Sequence, residues 1–265
     1  MNKWMDACAN APCATTARIL YMGTGWSRVL RSVEMIRPRQ TWVASAGLGL
    51  IHIDKHVPPY AATFQPGHPD SIPGVTSQDP TAAQAWWSTL SGPRWWKRLA
   101  GDGITVVQLS ESYLRALEPG LIALSQAIPG RMLIISPGMV GKSSPLASCI
   151  LPIDTRIEHL VSTTRGDVGP SALIWLAEQY RPSVGWNVER LYDLCRRKMA
   201  EQPPIRQWHR QPLDDNRVIE FIRKLRVQAN TRVSASSVLR HLRDAGFACE
   251  QSRLRKLFQE VVARA

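Results

Sequence analysis

Solid apolar runs closed by Gly, Pro, Ser or Asp alternate, over the first two thirds of the chain, with stretches in which apolar residues recur every three or four positions. The first pattern suits buried strands and the second suits helices with one face on a core. Runs of the first kind predict strands at residues 41–46 (T-W-V-A-S-A), 104–109, 131–136 and, shorter, 149–153. Trp26, Val29, Leu30, Val33 and Ile36 keep helical spacing behind Gly23-Thr24-Gly25 and predict a helix that Pro38 ends. The preceding A-R-I-L-Y-M of residues 17–22 fits a strand or the lead into that helix. Gly47-Leu48-Gly49-Leu50 closes the first strand, residues 52–64 read as a loop, and 65–80, rich in Pro, Gly, Ser and Asp, as a surface excursion. Asp79-Pro80 caps a helix over 81–90, residues 111–126 carry helical periodicity interrupted at Pro119-Gly120, and a further helix covers 170–180. Trp86-Trp87 and Trp95-Trp96 read as packing residues. Strands alternating with helices predict an α/β domain over residues 1–185, a mainly parallel sheet flanked by helices, with ligands at the carboxyl ends of its strands.

From Trp186 the pattern is helical throughout. Amphipathic segments at 216–228, 234–245 and 250–263 follow a linker running from Pro203-Pro204 to Pro212, with apolar stripes Val218-Ile219-Ile222-Leu225 and Leu254-Leu257-Phe258-Val261 and a tight turn at Gly246. Residues 186–265 are therefore expected to form an all-helical, helix-turn-helix-like module. Charge sharpens this picture. The chain of 265 residues carries 33 Lys+Arg against 21 Asp+Glu, and residues 186–265 hold 17 of the basic and 9 of the acidic side chains. That surplus favours a polyanionic partner, DNA first of all, met by Gln251, Ser252, Arg253, Arg255 and Lys256 on the third helix. A solvated basic face on a packing appendage is the alternative.

With 44% hydrophobic and 20% charged residues the chain can bury a core and is not disordered by composition. Five scattered cysteines spell neither a disulfide framework nor a paired zinc knuckle and fit a reducing cytoplasm. No apolar run nears the roughly 20 residues of a membrane span, and no signal-peptide core follows Met1, so a soluble, unexported protein is expected. Ser136-Pro137-Gly138-Met139-Val140-Gly141-Lys142-Ser143 is similar to a phosphate-binding loop, but Ser136 stands where the first glycine is required and Pro145 spoils the following helix. His52-Ile53-Asp54 and Pro12-Cys13 each lack half of a zinc-deaminase signature. Gly-x-Ser-x-Gly and His-Glu-x-x-His are absent, and helix capping explains Gln78-Asp79-Pro80.

The densest polar cluster is His52-Ile53-Asp54-Lys55-His56-Val57-Pro58-Pro59-Tyr60, after the Gly47 and Gly49 segment. Asp54 can orient or deprotonate water, and His52, Lys55 or His56 can meet a phosphate or developing charge. An ordinary turn in which Asp54 caps local amides and Tyr60 packs explains the same residues equally well.

A family resemblance tips the balance. Leu20-Tyr21-Met22-Gly23-Thr24-Gly25-Trp26, then Val43-Ala44-Ser45-Ala46-Gly47-Leu48-Gly49-Leu50 with Pro59-Tyr60, resembles the Y-x-G, S-A-x-x-G-L and P-Y pattern of small nucleic-acid-associated proteins related to the peroxide-stress protein YaaA. Val107-Gln108-Leu109-Ser110 with Tyr113-Leu114 resembles a later part of that pattern. The likeness covers about residues 17–136 and lacks the Cys-x-x-x-Lys signature, to which Cys8–Cys13 is nearest. With its basic helical module, the organisation resembles the phage-defence DNA glycosylases that remove α-glucosyl-hydroxymethylcytosine, whose fold is likened to the uracil-DNA glycosylase superfamily. The resemblance implies hydrolysis of a base–sugar bond in phage DNA on a flipped nucleotide, leaving an abasic site, with no metal or cofactor. On it, Asp54 and His56 are the expected catalytic residues. Tyr21, Trp26, Tyr60 and His52 are expected to wall the pocket, with backbone at Gly23, Gly47 and Gly49 and hydroxyls from Ser45, Ser110 and Ser136, while Lys55 joins the DNA contacts. A base-exchanging deazaguanine-type transglycosylase and a non-enzymatic DNA-binding accessory protein are the alternatives, and the oligomeric state is left open.

Overall fold

The computed structural model describes residues 2–13, 15–76, 78–161, 163, 165–180, 185–204, 210–228 and 233–263. The fold is mixed α/β, and it divides into two compact units, Met1–Ile205 and Arg206–Ala265. The first unit holds, in order, α1 (Asn2–Asn10), β1 (Thr15–Thr16), α2 (Ala17–Leu20), α3 (Thr24–Ile36), β2 (Trp42–Ser45), β3 (Gly49–His52), β4 (His56–Val57), α4 (Thr81–Ser91), β5 (Thr105–Gln108), α5 (Glu111–Ala127), β6 (Met132–Ile135), α6 (Val168–Gln179) and α7 (Val188–Ala200). The boundary lies at 205/206 rather than at the 186 expected from sequence, because α7 belongs to the first core. Cys195 and Met199 are buried beside Leu133, Ile135, Leu151 and Ile153, and the Tyr192 hydroxyl donates to the Ile150 carbonyl. The expected linker lies partly outside the described residues.

The pairing within this unit is less parallel than the alternation of elements predicts. Among the described residues β5 and β6 pair in parallel, Thr105 opposite Met132 through Gln108 opposite Ile135, while β1–β4 and β2–β3 are antiparallel. The expected strand at 149–153 is reduced to a bridge at Ile150, with Leu151 N–H on the Ile134 carbonyl at 2.8 Å. A 3-10 turn over Ala147–Cys149 precedes it, and Ile153 N–H bonds back to Leu151, so no donor remains to extend a ladder. Successive side chains of β6 face opposite ways, as a pleat requires. Met132 and Ile134 enter the core formed with α4 and α5, and Leu133 and Ile135 enter the one formed with α6 and α7.

β2 and β3 form a hairpin because the apolar run resumes after the glycines: Leu50, Ile51 and Ile53 are buried like Val43 and Ala46 before them. Gly49, at φ +73°, makes the turn, so residues 49–52 are a second strand and not the end of the first. α5 runs through Pro119 without the expected break. A proline at 119 leaves the Arg115 carbonyl without its helical donor. Gln84 of α4 supplies one instead, its amide nitrogen 3.0 Å from that oxygen. Trp87 and Trp95 are buried, their ring centroids 5.4 Å apart, in accord with packing.

The second unit contains β7 (Gln211–Pro212), α8 (Asp215–Gln228), α9 (Ala235–Asp244), β8 (Phe247–Ala248) and α10 (Gln251–Ala263). Its core is built from Val218, Ile222, Leu254, Leu257 and Val261 of the two apolar stripes together with Val238 and Leu242 of α9. Ser234 caps α9 by accepting from Ser237 N–H, and Gly246 turns at φ +84°. Among the described residues this unit also holds a two-residue parallel pair, β7–β8, which the helical pattern does not predict.

Removing the donor that replaces proline's missing N–H is expected to cost about 1 kcal/mol. Gln84→Ala should lower the urea midpoint accordingly, and an unchanged midpoint would show that water serves the Arg115 carbonyl as well.

Candidate functional site

The hairpin turn brings Ser45, Gly47, Tyr60 and Tyr21 together. Leu48 N–H donates to Ser45 Oγ at 3.0 Å, Ser45 donates to the Tyr60 hydroxyl at 2.7 Å, and the Tyr60 and Tyr21 hydroxyls lie 2.8 Å apart. When Tyr60 donates in that last pair, the proton of Tyr21 is left for a ligand. Gly47 permits the arrangement by having no side chain, since a Cβ there would stand 2.3 Å from the Tyr60 ring. Burial pushes the Tyr21 and Tyr60 hydroxyls above the usual tyrosine value, and Tyr60 is pushed further by its neighbour Tyr21. Burial likewise carries Tyr113 up to about 12. All three are therefore proton donors at physiological pH.

Tyr21 opens onto a cleft of about 1510 Å³ that has β2 and β5 among its walls. Trp26 and Ser110 also line it, Trp26 with its ring 5.2 Å from that of Tyr21. Arg37, Arg39 and Arg98 are its cations and Asp102 is its one carboxylate among the described residues. Arg98 is fixed twice over, donating to the Leu50 and Ser91 carbonyls while its guanidinium lies 5.7 Å from the centroid of the Trp42 ring. Among the described residues both strands present an edge with no pairing strand. Ile53 N–H bonds the Thr41 carbonyl, so in β2 the backbone groups of Trp42 and Ala44 point away from β3. Thr105 and Leu109 N–H bond to the neighbouring strand's carbonyls, so those of Val106 and Gln108 point away from β6. Cationic side chains, aromatic faces and free main-chain donors and acceptors are what a nucleotide is bound by.

The polar run 52–56 lies elsewhere. It occupies the open end of the hairpin, about 10 Å along the strand from Ser45 at 3.3 Å per residue. Asp54 is 56% exposed, held by Arg18 at 2.9 Å, and its N–H rests on His52 Nδ1 at 3.3 Å. Lys55 and His56 are exposed. None of these lines the cleft, because the turn after Gly47 carries them to the open end of the hairpin. Gly23 is the N-cap of α3 and Gly49 packs on Ser91. Ser136 is 1% exposed at the end of β6, its Oγ without a partner among the described residues, and it does not line the cleft.

On α10, Arg253 forks onto Asp215 at 2.6 and 2.7 Å, and Ser252 is engaged by Glu250, which accepts from its N–H and its hydroxyl. Those two serve the unit's own structure, while Gln251, Arg255 and Lys256 are exposed. Sequence reasoning missed Trp4, Arg18 and Arg98. The first two carry no local signal. Apolar runs on both sides of Gly47-Leu48-Gly49 are a hairpin signal, and reading them so would have moved Asp54 to the far end. Compared with models of protein families, with curated proteins and with solved structures, the chain matches none.

A buried tyrosine that keeps its proton gives a definite pH dependence. Unfolded tyrosines ionise near 10 whereas folded Tyr113 holds its proton to about 12, so its contribution is complete below pH 10 and is lost as pH rises toward 12. Urea midpoints from pH 8 to 12 should fall less steeply for Tyr113→Phe than for the wild type. Parallel curves would refute the burial.

Proposed function

We propose that the protein is a DNA N-glycosylase that takes an unstacked, modified cytosine into the cleft beside Tyr21 and hydrolyses its base–sugar bond. The observation that carries this reading is the cleft itself, aromatic and arginine-lined at about 1510 Å³. That exceeds the roughly 300–1,000 Å³ of ordinary small-ligand sites and leaves room for a nucleotide with a sugar on its base. The reading includes a uracil-DNA-glycosylase-like arrangement of the first unit, supported by the parallel β5–β6 pair with α5 connecting its strands. It gives the second unit the task of gripping the DNA backbone, and it puts the protein in a reducing cytoplasm, in keeping with five unpaired cysteines. No helix among the described residues is long and apolar enough to cross a membrane.

Breaking the bond leaves electrons on the departing base and positive charge on the deoxyribose. The Tyr21 hydroxyl, last in the donor chain, serves the first need by hydrogen-bonding the departing base. For the second, Asp102 replaces Asp54 as the carboxylate to test, because it lines the cleft. The scarcity of carboxylates there favours one other reading, a DNA-binding protein without chemistry.

Incubation with glucosylated phage DNA should release free modified base and leave abasic sites, read by mass spectrometry. Tyr21→Phe should cut the rate roughly 100- to 1,000-fold, as loss of one donor does elsewhere, while Asp54→Asn should change it little. Binding without any released base would transfer the protein to the non-enzymatic reading. Arg255→Glu with Lys256→Glu should weaken DNA binding at low salt and flatten its salt dependence by about one unit of slope per lost phosphate contact. Unchanged binding would return α10 to a structural role.

A further inference from the structure

Among the described residues, every hydrogen bond and ring contact that leaves α1 is made by Trp4. Its indole N–H donates to the Gly47 carbonyl at 2.8 Å, and its ring stands edge-on to Tyr60 and Trp86, with centroids at 6.5 and 5.9 Å. Lys3, Met5, Asp6, Ala7 and Ala9 of the same helix are exposed. A nine-residue helix is marginal in water by itself, so undocking Trp4 and melting α1 amount to one event.

The surface that receives the indole is held in place without it. Tyr60 is fixed by Ser45 and Tyr21, Gly47 lies in the hairpin turn, and Trp86 donates its own indole N–H to the Ala46 carbonyl at 2.7 Å. What remains when Trp4 leaves is a notch with aromatic walls and one outward carbonyl acceptor. Such a notch selects a planar heterocycle that brings an N–H donor.

We propose that the notch formed by Gly47, Tyr60 and Trp86 is a nucleobase site for a 4-amino pyrimidine, and that Trp4 is its displaceable internal occupant. The amino group of cytosine is the donor that replaces the indole N–H. The choice of cytosine over other heterocycles rests on the DNA reading given above. Tyr60 of the notch is hydrogen-bonded to Tyr21, which lines the cleft, so the two places share one pair of side chains. With Trp4 docked, the site is closed, and apparent affinity falls by the fraction of molecules in which it is open.

The test uses the full chain carrying Trp4→Gly, titrated calorimetrically with indole. Saturable binding by the variant and none by the wild type is expected. 1-Methylindole, which has no N–H, should bind about fivefold more weakly, the equivalent of one neutral hydrogen bond, and cytosine should displace indole. A folded variant that binds no indole overturns the notch, and indole binding without displacement by cytosine overturns the nucleobase assignment. Should Trp4→Gly not fold, hydrogen exchange on the wild type decides: saturating cytosine should speed exchange of the amides of residues 3–10, and unchanged exchange overturns the proposal. Neither readout involves base release, so failure of the glycosylase reading and failure of this one are separable.

Discussion

The ring of Tyr60 occupies the space that a side chain on residue 47 would need, and much of the candidate site follows from that contact. With the ring there, the Tyr60 hydroxyl reaches Ser45 on one side and Tyr21 on the other, and the Gly47 carbonyl is left facing Trp4. The four hydroxyl and carbonyl groups come from the hairpin, the segment before α3 and the loop after β4, which share no local sequence. A methyl group at 47 would displace the ring by more than packing tolerates and separate them.

A second constraint is the pair of unpaired strand edges. Sheets normally cover or pair their edges, because exposed N–H and C=O groups invite other chains. Here the outer edge of β3 is covered, with Ser91 accepting from Leu50 N–H and Arg98 donating to the Leu50 carbonyl. The inner edges of β2 and β5 are instead left to the cleft. Selective cover on one edge and not on the other concentrates main-chain hydrogen-bonding capacity in the place where aromatic residues and arginines also gather. That combination favours a ligand with planar faces, polar edges and negative charge over a purely apolar one.

Much of the architecture was legible in the chain, and the limits have physical causes. Apolar runs located β5 and β6, and helical spacing located α3 and the three helices of the second unit to within a residue or two. Those signals are local. The hairpin is not legible locally because a run broken by glycines fits a strand's end as well as a turn, and the difference is decided by whether Leu50 to Ile53 find a partner. That partner places Asp54 at the open end of the hairpin, away from Ser45. Pro119 looks like a break in the sequence because its remedy, the Gln84 amide, comes from another helix. Serine and tyrosine were expected among the pocket residues on types and resemblance, and Ser45, Tyr21 and Tyr60 do meet. Ser136 and the histidines, chosen on the same grounds, do not join them.

If the Tyr60–Gly47 contact organises a pocket for an unstacked base, a fluorescent cytosine analogue placed in duplex DNA reports it directly. Wild-type protein should raise the fluorescence as the analogue leaves the stack, and Gly47→Ala, with its second unit untouched, should still bind the duplex but leave the fluorescence at its stacked level. Equal brightening by the two proteins at matched occupancy would contradict the account.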